Sequence, residues 1–570
     1  MKSGSESICR AGSGLGRWLV VPVAVAALAL SAGIGARLYS NRVWDDAYVF
    51  VRYARNVLAQ GAVTWNPGGE PTYGATSLLF LVVVVPLELV TRADAAVVAA
   101  ASSLLCGLAF LAVLGVLLWR RVEAPAPAGS HLAIIAVLFT MLASIEPLSE
   151  HFASGMDTTF TLLFLAVYIM IALREEHDAE ERERSPSARP APVLGRNALP
   201  LGILGGLAYW ARPDLMLYTL AVPASMLLLA PDRGARGRAL LILALTAGVA
   251  GVLVLCSWLY FDSPLPLPFY AKCRRLYEDT VYAAHRDAPA AELGRYLRSY
   301  GALLVLVALR FGLWLRHRAR RPSGVEVGLL CATLVFIAYY ARFVLQITAL
   351  HQRFYYPTLP ALAFLGARSA AEILRLLPAG GPWAAGRTRA WAGPALGLAL
   401  AVWPAAQLLQ EARQLGAAAR RSPFFVHSSA RERYKSTWIA TTWFRLDEFS
   451  DLPDDLVMAM TEFGFPAAMN PGKTIVDLTG LNNTEFAHHG FSADALFGRY
   501  RPDLIFMPWR DYSRMLDQIS AHPEFRDDYE YFAPRQLGTS MGLALRRSSK
   551  YYSQMQRIAR SAAPPRKVHQ

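Results

Sequence analysis

Long apolar runs separated by short polar breaks fill roughly the first 410 residues. A helix that crosses a bilayer needs about 20 mostly apolar residues. On that measure the pattern predicts spans at Trp18–Ala36, Thr76–Val90, Ala95–Leu118, His131–Ile145, Thr158–Leu173, Leu199–Trp210, Leu215–Leu229, Ala239–Tyr260, Leu303–Leu315, Val327–Leu345, Pro357–Leu377 and Trp391–Leu409. Several are short. Basic loops at Arg120–Arg121, Arg174–Arg196, Arg233–Arg238 and Arg316–Arg321 belong on the cytoplasmic side by the positive-inside rule, and simple alternation from them does not leave Asp45 outside. One segment near 76–118 or 199–229 is therefore expected to be re-entrant, split or merged. The stretch "REEHDAEERERSPSARPAPVLGR" reads as a flexible cytoplasmic linker.

After about Gln410 the pattern changes. "DDLVMAMTEFGFPAAMNPGKTIVDLTGL" has short apolar runs broken by Gly, Pro and Asn, and "RPDLIFMPW" reads as a buried strand. Short strands alternating with helices predict a small soluble α/β domain. The expected organisation is a multi-span unit over 1–410 with an extracytoplasmic loop at 41–75, an extracytoplasmic soluble α/β domain over 411–547, and a basic disordered tail at 548–570. The fold class is thus a polytopic α-helical membrane protein, with about 11–13 transmembrane helices and a C-terminal soluble α/β domain.

Composition agrees. Hydrophobic residues make up 54% and charged residues 18%, against about 25% charged in soluble domains. The net charge of +14 would suggest nucleic acid in a soluble chain, but the basic residues cluster beside apolar runs, so no nucleic-acid partner is expected. Of five cysteines three lie inside apolar segments and none forms a CxxC pair, which gives neither a disulfide framework nor a zinc site. Lys2, Arg10 and Arg17 precede the first apolar run, which reads as an uncleaved helix entering from the cytoplasm.

The chemistry begins just after that run, in "NRVWDDAYVFVRYARNVL". On a helix Asp45, Val49 and Arg52 share one face, and Asp46, Phe50 and Tyr53 a neighbouring one. Carboxylates beside hydrocarbon usually face a cavity or a partner. Asp45 or Asp46 can act as a general base; a solvated Asp–Arg pair is the plainer alternative. Hard cations such as Mg or Mn favour carboxylates, which makes the two aspartates candidate ligands, although adjacent residues point to different sides of a helix. No cofactor is otherwise indicated.

The loop "GAVTWNPGGEPTYGATSLL" follows. An Asp-Asp-Ala-aromatic motif, an Arg-Tyr-Ala-x-Asn segment, a Gly-x-x-x-x-Asn-Pro-Gly loop and a Gly-x-Thr-Ser helix start come in that order. The combination resembles the polyprenyl-phosphate-dependent glycosyltransferases of the GT-C class, most of all the mycobacterial terminal β-arabinofuranosyltransferase family and its bacterial relatives. "ASGMDTTFTLLFL" is similar to that family's Ser-Gly-Met-Glu-Thr segment, with Asp157 in place of Glu. "ARPD" at 211–214 is similar to its Arg-Pro-Glu/Asp turn. "FDSPLPLPFYAK" keeps the Pro266, Tyr270 and Lys272 of its Pro-Asn-x-x-Tyr-x-Lys loop, with Leu267 where Asn is expected. "HQRFYYPTLP" matches its Arg-aromatic-x-x-Pro helix start, and "IVDLTGLNNTEFAHH" its C-terminal Asp-x-x-Gly-Leu-Asn-Asp, with Asn483 for Asp.

The resemblance spans about residues 41–490. It implies a multi-pass enzyme of the inner or plasma membrane with an extracytoplasmic site. The donor would be a polyprenyl-phosphate sugar, the acceptor an envelope glycan or lipid, with inversion at the anomeric carbon and a base in the first aspartate motif. The substitutions leave the sugar open. Lys272, Arg274, Arg275 and Arg353 suit a donor phosphate, because forked guanidinium and point-charge ammonium groups both bind it. Arg52, Tyr53, Asp157, Tyr270 and His351 complete the candidate binding residues. Structural alternatives stand beside each: an interfacial belt for Lys272 and Arg274, a helix cap for Asp157, a turn-holding pair for Arg212 and Asp214, a turn hydrogen bond for His351. A transporter, or a non-catalytic envelope protein that keeps the fold, are the rival readings.

Overall fold

The computed structural model describes residues 43–121, 148, 151–184, 196–273, 288–317, 322–343, 353–376, 413 and 442–561. The predicted spans Trp18–Ala36, His131–Ile145 and Trp391–Leu409 lie outside them. The membrane unit comprises α1 (Asp45–Gln60), α2 (Leu81–Thr91), α3 (Ala95–Arg121), α4 (Thr158–Arg184), α5 (Ala198–Ala211), α6 (Met216–Leu228), α7 (Arg233–Phe261), α8 (Leu267–Cys273), α9 (Ala288–His317), α10 (Gly324–Phe343) and α11 (Leu359–Leu376). Among the described residues five helices, α3, α4, α7, α9 and α10, are long and apolar enough to cross a membrane. Val252, Leu255, Trp258 and Leu259 on α7 and Val305 and Leu309 on α9 are exposed, as side chains that face lipid would be. Helix α4 continues to Arg184, so the first half of the expected flexible linker is helical.

Of the two segments of which one is expected to be re-entrant, split or merged, that near 199–229 is broken at Arg212. Pro213 cannot donate a backbone hydrogen bond and drives the residue before it out of the helical region; Arg212 is extended, at φ −170° and ψ 125°. The resulting α5 and α6 have 14 and 13 residues, about 20 Å each, short of a hydrocarbon core of about 30 Å. Helix α7 packs along both. The approach to α5 is close because Gly202, Gly205 and Gly206 line it. A methyl at Gly205 would lie 2.4 Å from Thr246 Oγ1, and one at Gly206 2.4 Å from Val249 Cβ, the small-residue contact typical of membrane helices.

The C-terminal unit is a five-stranded sheet of β1 (Val457–Met460), β2 (Thr474–Asp477), β3 (Leu504–Phe506), β4 (Tyr529–Phe532) and β5 (Leu543–Arg546), in the order β2-β1-β3-β5-β4. β1 pairs in parallel with β2 and β3, and β5 is antiparallel to β3 and β4. The helices that bear on function are α12 (Gly464–Met469) after β1 and α13 (Thr484–His489) after β2. The last, α14 (Tyr552–Arg560), corrects the expectation of a disordered tail from Ser548: Tyr551, Met555 and Ala559, spaced by four, are buried against the sheet's core. The fold is the expected one, a helical membrane unit followed by an α/β domain.

The two units are joined at α1. Its Ala47, Val51, Tyr53 and Ala54 are wholly buried, in one core with Phe80 of the membrane unit and Phe463, Phe465 and Leu504 of the sheet domain. Gly61, at φ 71°, ends the helix in the left-handed conformation that glycine adopts freely. The carboxyl ends of β1 and β2 point at the start of α1, the edge at which open parallel sheets place their ligands.

Candidate active site

At the start of α1 the two aspartates part company. Asp45 accepts hydrogen bonds from the backbone amides of Gly464 (2.9 Å) and Phe465 (2.7 Å), one for each carboxylate oxygen, at the positive end of α12. Gly464 permits this, since a methyl there would stand 1.9 Å from the Asp45 carbonyl oxygen. Burial pushes the Asp45 carboxyl up to about 7, against the pull of the two amides. Asp46 is about 100° further round the helix. Its side chain is 49% exposed and its Oδ2 lies 3.3 Å from Arg353 Nη1. Asp45 is thus a joint between units, and Asp46 an open carboxylate.

Arg353 sits just before α11. Its guanidinium lies 5.9 Å from the Trp44 ring and 5.5 Å from the Phe354 ring. Its Nε is buried and has no hydrogen-bond partner among the described residues, an unmet donor that costs free energy until an acceptor arrives. Lys272 Nζ is 5.8 Å from the same Phe354 ring. Surrounding protein and then Arg353 push the Lys272 ammonium down to about 8, with Asp46 pulling the other way. The residue itself is exposed, so crowding and access coexist.

Further in, Arg212 forks onto Asp214 at 3.1 and 2.7 Å. Tyr340 Oη donates to Asp214 at 2.5 Å and receives Arg212 Nη2 at 3.3 Å. This pair holds the α5–α6 break, the alternative already open for "ARPD". Asp157 is buried directly before α4; burial pushes its carboxyl up, opposed by Arg212 and Arg353. Asp46, Asp157, Lys272 and Arg353 therefore come together from four separate segments, with Arg212 behind them.

Other expected residues lie elsewhere. Arg52 is 1% exposed and donates to the carbonyls of Trp65, Ala467, Asn470 and Lys473 and to Asn66 Oδ1, at 2.6–3.1 Å. Tyr53 Oη receives the Gly74 amide and donates to Asn482 Oδ1 at 3.0 Å. These two were expected at the donor; they are instead fully engaged in docking α1. The reason is distance: six or seven residues along a helix from Asp46 is about 9–10 Å. Tyr270 faces away from Lys272, its ring 4.4 Å from that of His488. Arg274, Arg275 and His351 lie outside the described residues.

Sequence reasoning missed Trp44, Phe354, Tyr340 and Glu462. The last follows β1, and its carboxyl is pushed up to about 8 by burial, with Asp45, Asp46 and Asp477 adding to it. Its signal was positional, at the carboxyl end of a parallel strand. As for a metal, Asp45 and Asp46 do not converge on one point, because the oxygens of Asp45 are held by two amides. Among the described residues no group of three or more His, Cys, Asp or Glu side chains is placed to hold an ion.

No protein-family model and no curated protein matches the sequence. Among solved structures, the chain is similar to the Archaeoglobus fulgidus oligosaccharyltransferase tethered with an acceptor peptide containing the NVT sequon. The TM-score is 0.46 and the identity 12%, over 92% of this chain and 74% of that one. It is also similar to ArnT from Cupriavidus metallidurans bound to undecaprenyl phosphate, with a TM-score of 0.46 and 14% identity over 92% of this chain and 97% of the other.

Proposed function

We propose that this protein is an integral-membrane glycosyltransferase. It moves a sugar, a pentofuranose on the motif resemblance, from a polyprenyl phosphate to an envelope glycan or lipid on the extracytoplasmic side of the inner or plasma membrane. The observation that carries the reading is the grouping of an open carboxylate, Asp46, with two cations, Lys272 and Arg353, one of which keeps an unmet buried donor.

Asp46 takes the proton of the acceptor hydroxyl, and the hydroxyl oxygen attacks the anomeric carbon. The bond from that carbon to the phosphate oxygen breaks, and its electron pair leaves with the polyprenyl phosphate. The configuration inverts, and no enzyme nucleophile is required. Charge grows on the leaving phosphate oxygen as the bond breaks. Lys272 and Arg353, held in place beforehand on Phe354 and Trp44, stabilise it there.

The test is transfer from synthetic polyprenyl-phosphate arabinofuranose and several hexoses by purified wild type and Asp46→Asn. Transfer from one donor, lost in the variant, is the expected result. Wild-type transfer by Asp46→Asn would overturn the base assignment.

A further inference from the structure

Behind the helix that carries Lys272 lies a second concavity. It is an open groove of about 890 Å³ between the 65–72 loop of the membrane unit, Tyr270 of α8, and α13 with the residues around it in the sheet domain. That volume is near the top of the roughly 300–1,000 Å³ of small-ligand sites, which suits a chain of several rings better than a single small molecule.

Its chemistry differs from that of the charged site. The floor is rigid: Asn66 Oδ1 accepts from Arg52 and the Ile475 amide, and Asn482 is tied to Tyr53 and Asp477. The rim carries the carboxylates of Glu70, Asp262 and Glu485 against one guanidinium, Arg499, which pairs with Glu485 at 3.3 Å. Asn483 Oδ1 is used by the Phe486 amide and Tyr500 Oη, while its amide NH₂ has no partner among the described residues. Tyr270 and Tyr500 add half-buried rings. Planar polar groups that pair with hydroxyls, beside aromatic rings that take C–H faces, match a saccharide. Glu70, Asp262 and Glu485 outnumber Arg499, with the imidazoles of His488 and His489 as the lining's other titratable groups, so the rim favours an uncharged chain over phosphate or uronate.

The groove and the charged site share one wall. Tyr270 and Lys272 are two residues apart on α8, about 200° around its axis. One stands against His488 in the groove and the other against Phe354 at the site. The Leu267 amide donates to the Tyr73 carbonyl at 2.8 Å, which fixes this wall to the loop that forms the groove's other side. We propose that the groove holds the acceptor as an uncharged oligosaccharide several rings long, with the end to be extended passing α8 towards Asp46. Its catalytic consequence rests on the reading given under Proposed function; the binding itself does not.

The full-length protein carrying Asp46→Asn, which binds without turnover, is titrated calorimetrically with uncharged hexasaccharides of arabinofuranose, galactofuranose and mannose, and with a hexagalacturonate. At least one uncharged chain is expected to saturate the protein and to bind ten times or more tighter than the uronate. Tyr270→Ala should weaken it at least tenfold, and Tyr270→Phe, which keeps the ring, by less than about threefold. Binding of none of the three uncharged chains, or binding unchanged by Tyr270→Ala, overturns the proposal. Polyprenyl phosphate, titrated separately, distinguishes the two readings. Its binding without any glycan binding removes the groove and leaves the donor site; glycan binding without it does the reverse.

Discussion

Asp45 and Asp46 are adjacent in the chain and serve different partners: Asp45 accepts two backbone amides of the sheet domain, and the half-exposed Asp46 faces Arg353 at 3.3 Å. The two should fail differently. Asp46→Asn should lower kcat by about 10²–10⁴-fold, the worth of a positioned base, with a melting temperature close to wild type because the residue is half exposed. Asp45→Ala leaves two amides unpaired at a buried joint and should cost about 1–3 kcal/mol of stability. Transfer rates and thermal unfolding, measured together on both variants, check this; equal loss of activity with unchanged melting in both would contradict the division.

Lys272 supplies a pH signature. Its ammonium is pushed down to about 8, so it is cationic below that pH and neutral above it. Affinity for polyprenyl phosphate should fall as pH rises through about 8, beyond what the lipid's own ionisation causes. Lys272→Met should bind weakly at every pH and lose that step. Titrations between pH 6.5 and 9.5 read the effect directly.

Glu462 acts on stability in a direction that the sign of its shift decides. Its carboxyl rises from an ordinary 4.5 to about 8 through burial, so the folded state holds the proton more tightly than the unfolded one. The resulting stabilisation is full below about pH 4.5 and is lost as pH rises through 8. Asp45, pushed up to about 7, adds a loss centred lower. Glu462→Gln should therefore flatten the fall in melting temperature between pH 5 and 8.5 and melt higher than wild type at 8.5. A variant with the same slope as wild type would show that Glu462 is ionised in the folded protein throughout.

Gly464 tests the joint from its other side. A methyl there meets the Asp45 carbonyl oxygen at 1.9 Å, and backbone must give way. Overpacking of this kind costs about 1–3 kcal/mol. Gly464→Ala should loosen the sheet domain from α1, seen as faster limited proteolysis between the two units.

What the sequence disclosed follows from the physics of each part. Spans such as Ala239–Tyr260 were legible because lipid leaves an unbroken apolar run, and the break at Arg212 because proline forbids the helix there. The sheet domain showed in short apolar runs punctuated by Gly and Pro. The tail helix did not, because its charged face outweighs three apolar residues spaced by four. Arg52 and Tyr53 were misplaced because three of the five Arg52 acceptors, and the Asn482 acceptor of Tyr53, lie more than 400 residues along the chain, which no local pattern encodes. Phe354 and Trp44 look like ordinary interfacial aromatics until the fold brings cations onto them.

The guanidinium of Arg52 has a consequence for how the protein is made. Three of its acceptors, the carbonyls of Ala467, Asn470 and Lys473, are translated 415 to 421 residues after it. At about 5–20 residues per second, these three arrive some 20–80 s later, and until then the guanidinium has only the Trp65 carbonyl and Asn66 Oδ1 as acceptors within the protein. The end of the polypeptide thus closes a structure begun near its start, and a ribosome that stalls before residue 467 leaves behind a membrane unit whose α1 lacks its partners in the sheet domain.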